Sequence, residues 1–418
     1  MKIIVAHPGK QHSYKTAEAL YKGNMLFQYM TTVYDKNNWK ITYTKYLMPK
    51  FVTEKIKLRK STIIPEELVS IKCTFLGLFL LFFYKLPLNR KYRDKVFQYV
   101  HNQFGKRVAE YAIKNKVDAV IMFDTTCNEC FNILKRKAPH IKRIQDVSIA
   151  NRNFMKANYE KDIERTGDSR IKKEQINLWN PKTLEKNIEE LRLTEHFIVA
   201  SKMVKRSLQY SNIDEKKIHI APYGVEFDKF PYQPKENKNR KLQLIYVGQI
   251  TFRKGLHHLF KIISTEFKDK CDLSVIGFYN TSNALYQEYK NTPNIKFLGF
   301  INHKELIKYY HKSDVFILPT LGEGFGLVVL EAMSSGTPCI VSDLAGGDDA
   351  IENGKNGVIF QAGNDIDLSA KIQWFINNRN KLPQMSEYSS LHVKKYTWDV
   401  YYTNIQSIVK DIIRERKI

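Results

Sequence analysis

The residues best suited to chemistry in this chain lie within the segment 322–331, where two carboxylates and three glycines are interleaved. An apolar run over residues 315–318 precedes the segment, and a helical pattern begins at about residue 326. A helix that starts beyond the end of a strand points its first free N–H groups at a bound anion, and glycines let a ligand approach the backbone closely. Glu323 and Glu331 cannot bind a phosphate, but their oxygens suit sugar and ribose hydroxyls. The segment therefore predicts a site for a ligand that carries both phosphates and hydroxyls.

The sequence around this segment alternates short apolar runs with helical patterns. It predicts strands over 242–247, 273–276, 295–298, 315–318 and 339–342, and helices over 256–267, 303–312 and 327–334. Such alternation is typical of a parallel sheet covered by helices. Ligands bind such sheets outside the carboxyl ends of the strands, which is where the segment 322–331 falls.

The first half of the chain shows a second alternation of the same kind. It predicts strands over 3–6, 119–123, 143–149 and 197–200, and helices over 13–20 and 108–115. Residues 224–241 are polar and basic, contain two prolines and lack periodicity, which predicts a linker.

These patterns predict an α/β protein with two Rossmann-like, doubly wound parallel-sheet domains that face each other across a cleft. The predicted domains are residues 1–223 and residues 242–397. A helical pattern over 398–418 is expected to pack back on the first domain.

The stretch EGFGLVVLEAMSSGTPCIVSD places Glu323 and Glu331 in an E-x7-E pattern and resembles the retaining GT-B glycosyltransferases of family 4, or glycosyl transferases group 1. VGQITFRKGLHHLF, at residues 247–260, and the lead-in NIKFLGFINHKELIKYYHKSDVFILPT are similar to the same family. The resemblance is continuous over about residues 242–362 and loose in the first half, at AHPGKQHS. It implies a GT-B fold and the transfer of a sugar from a nucleoside diphosphate to a glycan hydroxyl, with retention.

The resemblance also implies roles for individual residues. Glu331 would bind the ribose hydroxyls, and Glu323 would contact the donor sugar. Arg253 and Lys254 would hold the diphosphate, and two cations beside a helix N-terminus suit the negative charge that develops on that leaving group. The backbone positions assigned to donor binding are Gly9, Gly248, Gly324, Phe325, Gly326 and Leu327.

The residue types alone leave other interpretations of this region open. Arg253 and Lys254 could form a solvated loop pair, and Phe325 and Leu327 could be core residues. Where the family usually has Gly-x-Pro-Glu, this chain has Gly-Gly-Asp-Asp at residues 346–349, so the contacts of that loop are not predicted.

The resemblance implies that residues 1–223 form the acceptor side and residues 242–397 the donor side. The acceptor side offers three candidate catalytic residues. Many relatives carry a histidine in the first lobe, whereas the comparable strand ends here carry Asp124 and Asp146. Each aspartate could assist deprotonation of an acceptor hydroxyl or could cap a helix, and His12 is a further candidate. A retaining front-side displacement needs no strong base, because the leaving diphosphate takes the acceptor proton itself.

We expect no metal and no bound cofactor, because the cations and the helix N-terminus can serve the diphosphate without them. The one D-x-D pattern, Asp365-Ile-Asp367, is interpreted as surface charge. Five cysteines at irregular spacing predict no disulfide framework and fit a reducing cytoplasm. The pair Cys127 and Cys130 lacks the two further ligands of a zinc site.

The net charge of +24 is concentrated in residues 1–200, which hold 37 Lys and Arg against 20 Asp and Glu. This sign favours nucleic acid, an anionic membrane or a polyanionic acceptor. Residues 73–84 carry no charge and are too short to span a bilayer, but basic residues flank them. We interpret them as a docking surface on an anionic membrane, with a buried helix as the alternative. The apolar run at residues 3–6 is too short for an export signal.

These observations predict a cytoplasmic enzyme, peripheral on the inner face of the cytoplasmic membrane, that acts on a glycan or lipid-linked glycan in surface polysaccharide or lipopolysaccharide synthesis. A nucleotide-sugar epimerase or another enzyme of the same two-lobe architecture, such as a phosphorylase, is the alternative. A phosphorylase would need a lysine-bound cofactor signature, which is not found. Nucleic acid is not an expected partner, because no recognised binding motif accompanies the charge.

Overall fold

The computed structural model describes residues 1–36, 48–83, 90–236 and 240–415. These residues form two α/β lobes, one built on a seven-stranded sheet and the other on a six-stranded sheet. The predicted fold class is confirmed. Within the described residues, no helix combines the length and the apolar character needed to cross a bilayer.

The first lobe pairs its strands in the order β3-β2-β1-β4-β5-β6-β7, all parallel. Its strands are β1 (Ile3–Ala6), β2 (Leu26–Thr31), β3 (Val69–Ile71), β4 (Ala119–Phe123), β5 (Lys142–Val147), β6 (His196–Val199) and β7 (Ile218–Ile220). Its helices are α1 (Ser13–Lys22), α2 (Lys50–Lys57), α3 (Thr74–Phe83), α4 (Arg90–Lys114), α5 (Asn128–Lys137), α6 (Arg152–Thr166), α7 (Arg170–Glu174), α8 (Pro181–Leu193) and α9 (Lys202–Gln209).

The second lobe has the order β10-β9-β8-β11-β12-β13, again all parallel. Its strands are β8 (Leu242–Val247), β9 (Cys271–Ile276), β10 (Ile295–Gly299), β11 (Val315–Leu318), β12 (Cys339–Ser342) and β13 (Gly357–Phe360). Its helices are α10 (Leu256–Thr265), α11 (Ala284–Tyr289), α12 (His303–Lys312), α13 (Leu327–Ser334), α14 (Asp365–Asn377) and α15 (Leu382–His392), and α16 (Trp398–Arg414) ends the described chain.

In both lobes the strand order reverses beside the first strand of the lobe. The loops after β1 and β4, and those after β8 and β11, therefore border the crevice where doubly wound sheets bind ligands. The central strands β1, β4, β11 and β12 consist only of buried residues. Strands covered by helices on both faces read as continuous apolar runs.

The last helix crosses back to the first lobe, and its contacts there are specific. Gln406 of α16 donates a hydrogen bond to the Ala19 carbonyl at 2.8 Å. Tyr401 lies within hydrogen-bonding distance of Thr16, at 2.9 Å between the hydroxyl oxygens. Tyr402 donates to Glu18 at 2.6 Å. The chain thus passes between the lobes twice, once between β7 and β8 and once just before α16.

Candidate active site

The loop from Pro319 to Gly326 lies where the second sheet reverses its strand order. Three backbone hydrogen bonds hold it against the neighbouring loops: Leu321 donates to the Arg253 carbonyl at 2.9 Å, Glu323 to that of Leu344 at 3.1 Å and Gly326 to that of Ala345 at 3.2 Å. The acceptors come from the loops that follow β8 and β12. The loop is therefore positioned by strands on both of its sides.

Two glycines allow the backbones to come this close. Gly346 has a φ of +70°, and a Cβ at this position would collide with the Gly324 carbonyl oxygen. A Cβ on Gly324 would in turn collide with the carbonyl oxygen of Ser148 in the first lobe. Ser201 of the first lobe also donates a hydrogen bond to the Gly324 carbonyl at 2.8 Å. The glycine-rich loop of the second lobe thus contacts the first lobe directly.

Glu323 is the centre of a charge cluster formed with the two predicted diphosphate-binding cations. Lys254 forms a short ion pair with Glu323, and Arg253 lies 3.4 Å from the same carboxylate oxygen. Arg253 also donates to the Gly322 carbonyl at 2.9 Å. Burial alone would raise the pKa of Glu323, but the two cations outweigh it and hold the pKa below its usual value of 4.5. Glu323 is therefore ionised at neutral pH and neutralises part of this positive charge.

A residue from the first lobe, Glu174 at the end of α7, holds the turn that carries these cations. Its carboxylate accepts hydrogen bonds from the backbone N–H groups of Phe252 at 2.8 Å and Arg253 at 3.1 Å. No pattern in the sequence indicated Glu174, because it lies 79 residues from Arg253 and outside the family blocks. The turn that carries Arg253 and Lys254 is thus held by both lobes.

Glu331 lies on α13 and is 9% exposed. Tyr310 of α12 donates a hydrogen bond to its carboxyl group at 3.3 Å. Burial raises the pKa of Glu331 from 4.5 to about 7, and the bond from Tyr310 lowers it only in part. Glu323 and Glu331 thus have opposite shifts, which fits different tasks on one ligand.

The remaining predicted donor contacts differ in their surroundings. Gly248 follows β8, and its amide donates to the Ile276 carbonyl at 2.9 Å. The amide of Leu327 donates to the Phe325 carbonyl at 2.9 Å, so it is already engaged in the structure. Phe325 is buried and packs edge-on against Tyr223, with ring centroids 5.5 Å apart. Gly9 lies after β1 in the other lobe, where its amide donates to His7.

The structure brings His12 and Asp146 together on the acceptor side. His12 Nε2 lies 2.8 Å from Asp146 Oδ1, and the hydroxyl of Thr16 donates to the other carboxylate oxygen at 3.2 Å. Tyr223 lies 3.0 Å from His12 Nε2 and, through its ring, touches Phe325 of the glycine-rich loop. A chain of contacts therefore joins the two halves of the predicted site.

Asp124 is held apart from that pair. Its carboxylate accepts from the Ser148 amide at 2.9 Å and from the Ser148 hydroxyl at 2.6 Å. Burial raises its pKa, and the bonds from Ser148 lower it in part. Because the Ser148 carbonyl lies against Gly324, Asp124 fixes a backbone segment that supports the glycine-rich loop. This bond is not the helix cap that the sequence suggested, because Ser148 lies three residues before Asn151, the N-cap of α6.

His7, at the end of β1, was missed in the sequence although it stands at the same kind of position as Asp124 and Asp146. It is 6% exposed, and burial lowers its pKa to about 3. Its Nδ1 accepts a hydrogen bond from the Gly9 amide at 2.9 Å, which leaves the proton of the neutral ring on Nε2. His7 is thus a neutral hydrogen-bond donor at the acceptor side of the cleft.

Among the described residues, the three whose ligating atoms lie close enough to hold a metal are Asp162, His257 and His258, within 4.8 Å of one another. The ring nitrogens of His257 and His258 already bond to the Asp162 carboxylate at 3.1 and 2.9 Å. The guanidinium of Arg165 lies 3.3 Å from the same carboxylate and opposes a further cation. His258 bonds through its other nitrogen to Asp365 at 2.5 Å, so the interpretation of Asp365 as surface charge is wrong.

Comparison with known protein families assigns part of the chain. Residues 228–392 match the family Glycosyl transferases group 1. The capsular polysaccharide biosynthesis glycosyltransferase CapM of Staphylococcus aureus is 27% identical over 238 residues, which are 52% of this chain and 62% of that protein. A glycogen synthase of Mycobacterium tuberculosis is 27% identical over 147 residues, which are 34% of this chain and 36% of that protein. The chain thus spans less than two thirds of the length of these relatives.

Solved structures resemble the whole chain. The sucrose-phosphate synthase of Thermosynechococcus elongatus has a TM-score of 0.67 at 16% identity and covers 99% of this chain and 100% of its own. The lipopolysaccharide outer core galactosyltransferase WaaB has a TM-score of 0.64 at 16% identity, over 98% of this chain and 99% of its own. HepE of Anabaena, solved with UDP and glucose, has a TM-score of 0.62 at 12% identity, over 98% of this chain and 100% of its own.

At these identities the solved structures establish the fold, and the family match places the second lobe. The matched range includes the glycine-rich loop, the two glutamates and the two cations at the edge of the second sheet. The chain has a GT-B fold, and its residues 228–392 match the family Glycosyl transferases group 1.

Proposed function

We propose that this chain is a glycosyltransferase that moves a sugar from a nucleoside diphosphate to a hydroxyl of a glycan or lipid-linked glycan, with retention, in the synthesis of a surface polysaccharide or lipopolysaccharide. One observation carries the proposal: Glu323, Arg253 and Lys254 form a compact charge cluster at the switch point of the second sheet. The names of CapM and WaaB, which refer to capsular polysaccharide and lipopolysaccharide, support the substrate class.

The charge cluster suggests how donor binding proceeds. Without ligand, Glu323 neutralises Lys254 and Arg253. A bound diphosphate would take over that neutralisation, because its oxygens carry more charge and can accept from both cations. Glu323 would then be released to accept hydrogen bonds from the hydroxyls of the donor sugar. The same two cations stabilise the charge that develops on the leaving diphosphate, which is why we propose a reaction that needs no metal.

Glu331 suits the ribose because its carboxyl group is buried and has a pKa of about 7. Two ribose hydroxyls can donate to an ionised carboxylate, and a bound donor would therefore favour the ionised form of Glu331. Tyr310 fixes the carboxyl group from the opposite side at 3.3 Å. The proposal thus assigns opposite ends of the donor to the two glutamates of the E-x7-E pattern.

For the transfer itself we propose a front-side displacement. The bond between the anomeric carbon and the diphosphate oxygen breaks, the acceptor oxygen bonds to that carbon on the same face, and the acceptor proton passes to the departing diphosphate. His7 is positioned to donate a hydrogen bond in the acceptor part of the cleft. The pair of His12 and buried Asp146 holds Tyr223 and, through it, Phe325, so we assign this pair a positioning role.

The test measures nucleotide release and product formation with candidate sugar donors, with and without a glycan acceptor. We expect the Glu331→Ala and Lys254→Ala variants each to lower turnover by at least about a hundredfold, because each removes a polar contact to the donor. The exposed-residue variants Glu387→Gln and Lys355→Met serve as matched controls and should keep wild-type turnover. Wild-type turnover in both site variants would refute the assignment. Conversion of the donor without any need for acceptor would indicate an epimerase instead.

A further inference from the structure

Helix α3, Thr74–Phe83, has the sequence TFLGLFLLFF, with no charged residue. One side of it is fixed to the first lobe. Leu78 and Leu81 are buried in a small cluster with Val33, Val52 and Ile56. Gly77 is packed so tightly that a Cβ there would collide with Thr32. The alternative of a buried helix is thus correct for this side only.

The other side of α3 carries three phenylalanines that face the solvent. Phe75, Phe79 and Phe82 are 81%, 39% and 39% exposed. Their spacing of four and three residues places them in one stripe along the helix, which we call the phenylalanine face. A contiguous apolar patch of this kind on a soluble surface marks a contact with a partner or a membrane.

The residues around the phenylalanine face are basic. Phe51 of α2 lies beside Phe82, with ring centroids 6.3 Å apart, and Lys55 follows Phe51 one turn later on the same side of α2. Lys50 and Lys57 are exposed at the two ends of that helix. The segments 48–83 and 90–107 together hold twelve Lys and Arg against four Asp and Glu.

The positive charge around the phenylalanine face indicates which kind of partner binds there. A second copy of the chain would bring the same excess of positive charge to the interface and would be repelled. A bilayer with anionic headgroups offers the opposite charge together with an apolar interior of matching character. With ten residues, α3 is long enough to lie in the lipid surface but too short to cross it.

Helix α4 connects this face to the acceptor side of the molecule. It packs against α3, and Tyr92 and Tyr99, seven residues apart, are exposed along it. Tyrosines are favoured at the level of lipid headgroups. The neighbouring stripe of α4 lines a cavity of about 1140 Å³ through Gln98 and His101.

That cavity is suited to sugars and opens toward the acceptor side of the cleft. Across from α4 it is lined by Asn128, Asn177 and Trp179, and it reaches Thr125, directly after β4. Amides and an imidazole can bond to sugar hydroxyls, and an indole can pack against a sugar ring. Helix α4 therefore packs against the helix that carries the phenylalanine face and also lines this polar groove.

We propose that α3 docks the phenylalanine face into the surface of an anionic membrane, and that α4 thereby holds the groove at the lipid headgroups, where the glycan of a lipid-linked acceptor would enter it. The second part rests on the proposed function; the docking itself does not. The binding is reversible, because a single short helix buries few side chains in lipid.

The experiment measures co-sedimentation of the full chain with phosphatidylcholine vesicles, with and without phosphatidylglycerol. We expect binding only with the anionic lipid, and a loss of binding at high salt. Phe75→Ser combined with Phe82→Ser should weaken it at least about tenfold, because the apolar contact is lost. Ile366→Ser combined with Leu391→Ser, at sites that are 84% and 54% exposed in the second lobe, is the matched control and should bind normally.

Unchanged binding of the phenylalanine variant, or equal binding to both kinds of vesicle, would overturn the docking proposal. A dimer in solution that the same variant dissociates, without any binding to vesicles, would also overturn it. Since Phe75 and Phe82 are both exposed, the melting temperature of the variant should stay close to that of the wild type. Nucleotide release with a soluble glycan acceptor reports separately on the proposed function, because this reaction needs no membrane.

Discussion

At the scale of single residues, the two glutamates of the E-x7-E pattern are distinguished by their neighbours and not by their type. Glu323 faces two cations and is held ionised, whereas Glu331 faces a tyrosine hydroxyl in a buried position, where its pKa rises to about 7. The sequence predicts both residues as site residues, but it carries no information on this difference. Burial and charge partners from other segments decide it.

The raised pKa of Glu331 has a consequence for stability. The folded state holds a proton on Glu331 at pH values where the unfolded state, with a pKa of 4.5, has lost it. The free energy of unfolding should therefore fall as the pH rises from about 4.5 through about 7, by on the order of 3 kcal/mol for this group. Denaturant unfolding at pH 5 and pH 8 measures it.

In the Glu331→Gln variant this part of the pH dependence should be absent, because the amide does not titrate. Glu387→Gln, at an exposed position, should keep the wild-type dependence. Identical pH dependence in wild type and Glu331→Gln would mean that Glu331 titrates normally in the folded protein.

At the scale of elements, many strands and helices of the second lobe can be predicted from its sequence. The predicted bounds of β8, β11, β12, α12 and α13 agree with the structure, because apolar residues dominate the strands and the side chain of Asn302 caps α12. Strand β13 was not predicted, because it has only four residues and begins with a glycine. In the first lobe β2 was not predicted, because it includes the polar residues Gln28 and Thr31. Strands β3 and β7 were not predicted either, because three residues each are too few for a periodic pattern.

The glycine-rich loop shows why an element can be predicted more easily than its contacts. From the sequence, its glycines predict that a ligand approaches the backbone closely. The structure adds a second reason, because Gly324 lies against the Ser148 carbonyl of the other lobe. No pattern in either segment connects residues so far apart in the chain.

The Gly324→Ala variant tests this inter-lobe contact. An added methyl group would push the loop away from Ser148 and shift Glu323 relative to the cations, so nucleotide release should fall by at least about tenfold. Gly167→Ala is the control, because Gly167 has a φ of +70° but open space around its Cα. It should lose about 1 kcal/mol of stability and keep its activity. Equal activity of both variants would show that the close approach is not needed for turnover.

At the scale of the whole molecule, the lobes meet through polar contacts that differ in their response to pH. Asp162 of α6 in the first lobe accepts hydrogen bonds from His257 and His258 of α10 in the second, and it is 1% exposed. His258 bonds to carboxylates at both ring nitrogens, the second belonging to Asp365. Two acceptors require two donors, so His258 is protonated in this arrangement. The contact is a buried ion pair between the lobes.

The pKa shifts indicate the pH range in which this ion pair holds. Burial alone would lower the pKa of His258, but the bonds to Asp162 and Asp365 outweigh it and raise the pKa above 6.5. The stabilisation is therefore complete below pH 6.5 and is lost as the pH rises through the raised value. Asp162 limits the range at the acid end, because its pKa is lowered and the pair is lost only when the pH falls well below 3.8.

The His258→Gln variant should consequently be destabilised most at about pH 6, by roughly 3 kcal/mol, because it leaves Asp162 buried with one partner fewer. Toward pH 9 the difference from wild type should shrink, since the wild-type ring has then lost its proton and the ion pair with it. Thermal or denaturant unfolding across this range measures the difference, with His303→Gln, at an exposed position, as the control. A destabilisation of the same size at both pH values would mean that His258 contributes by packing and not by charge.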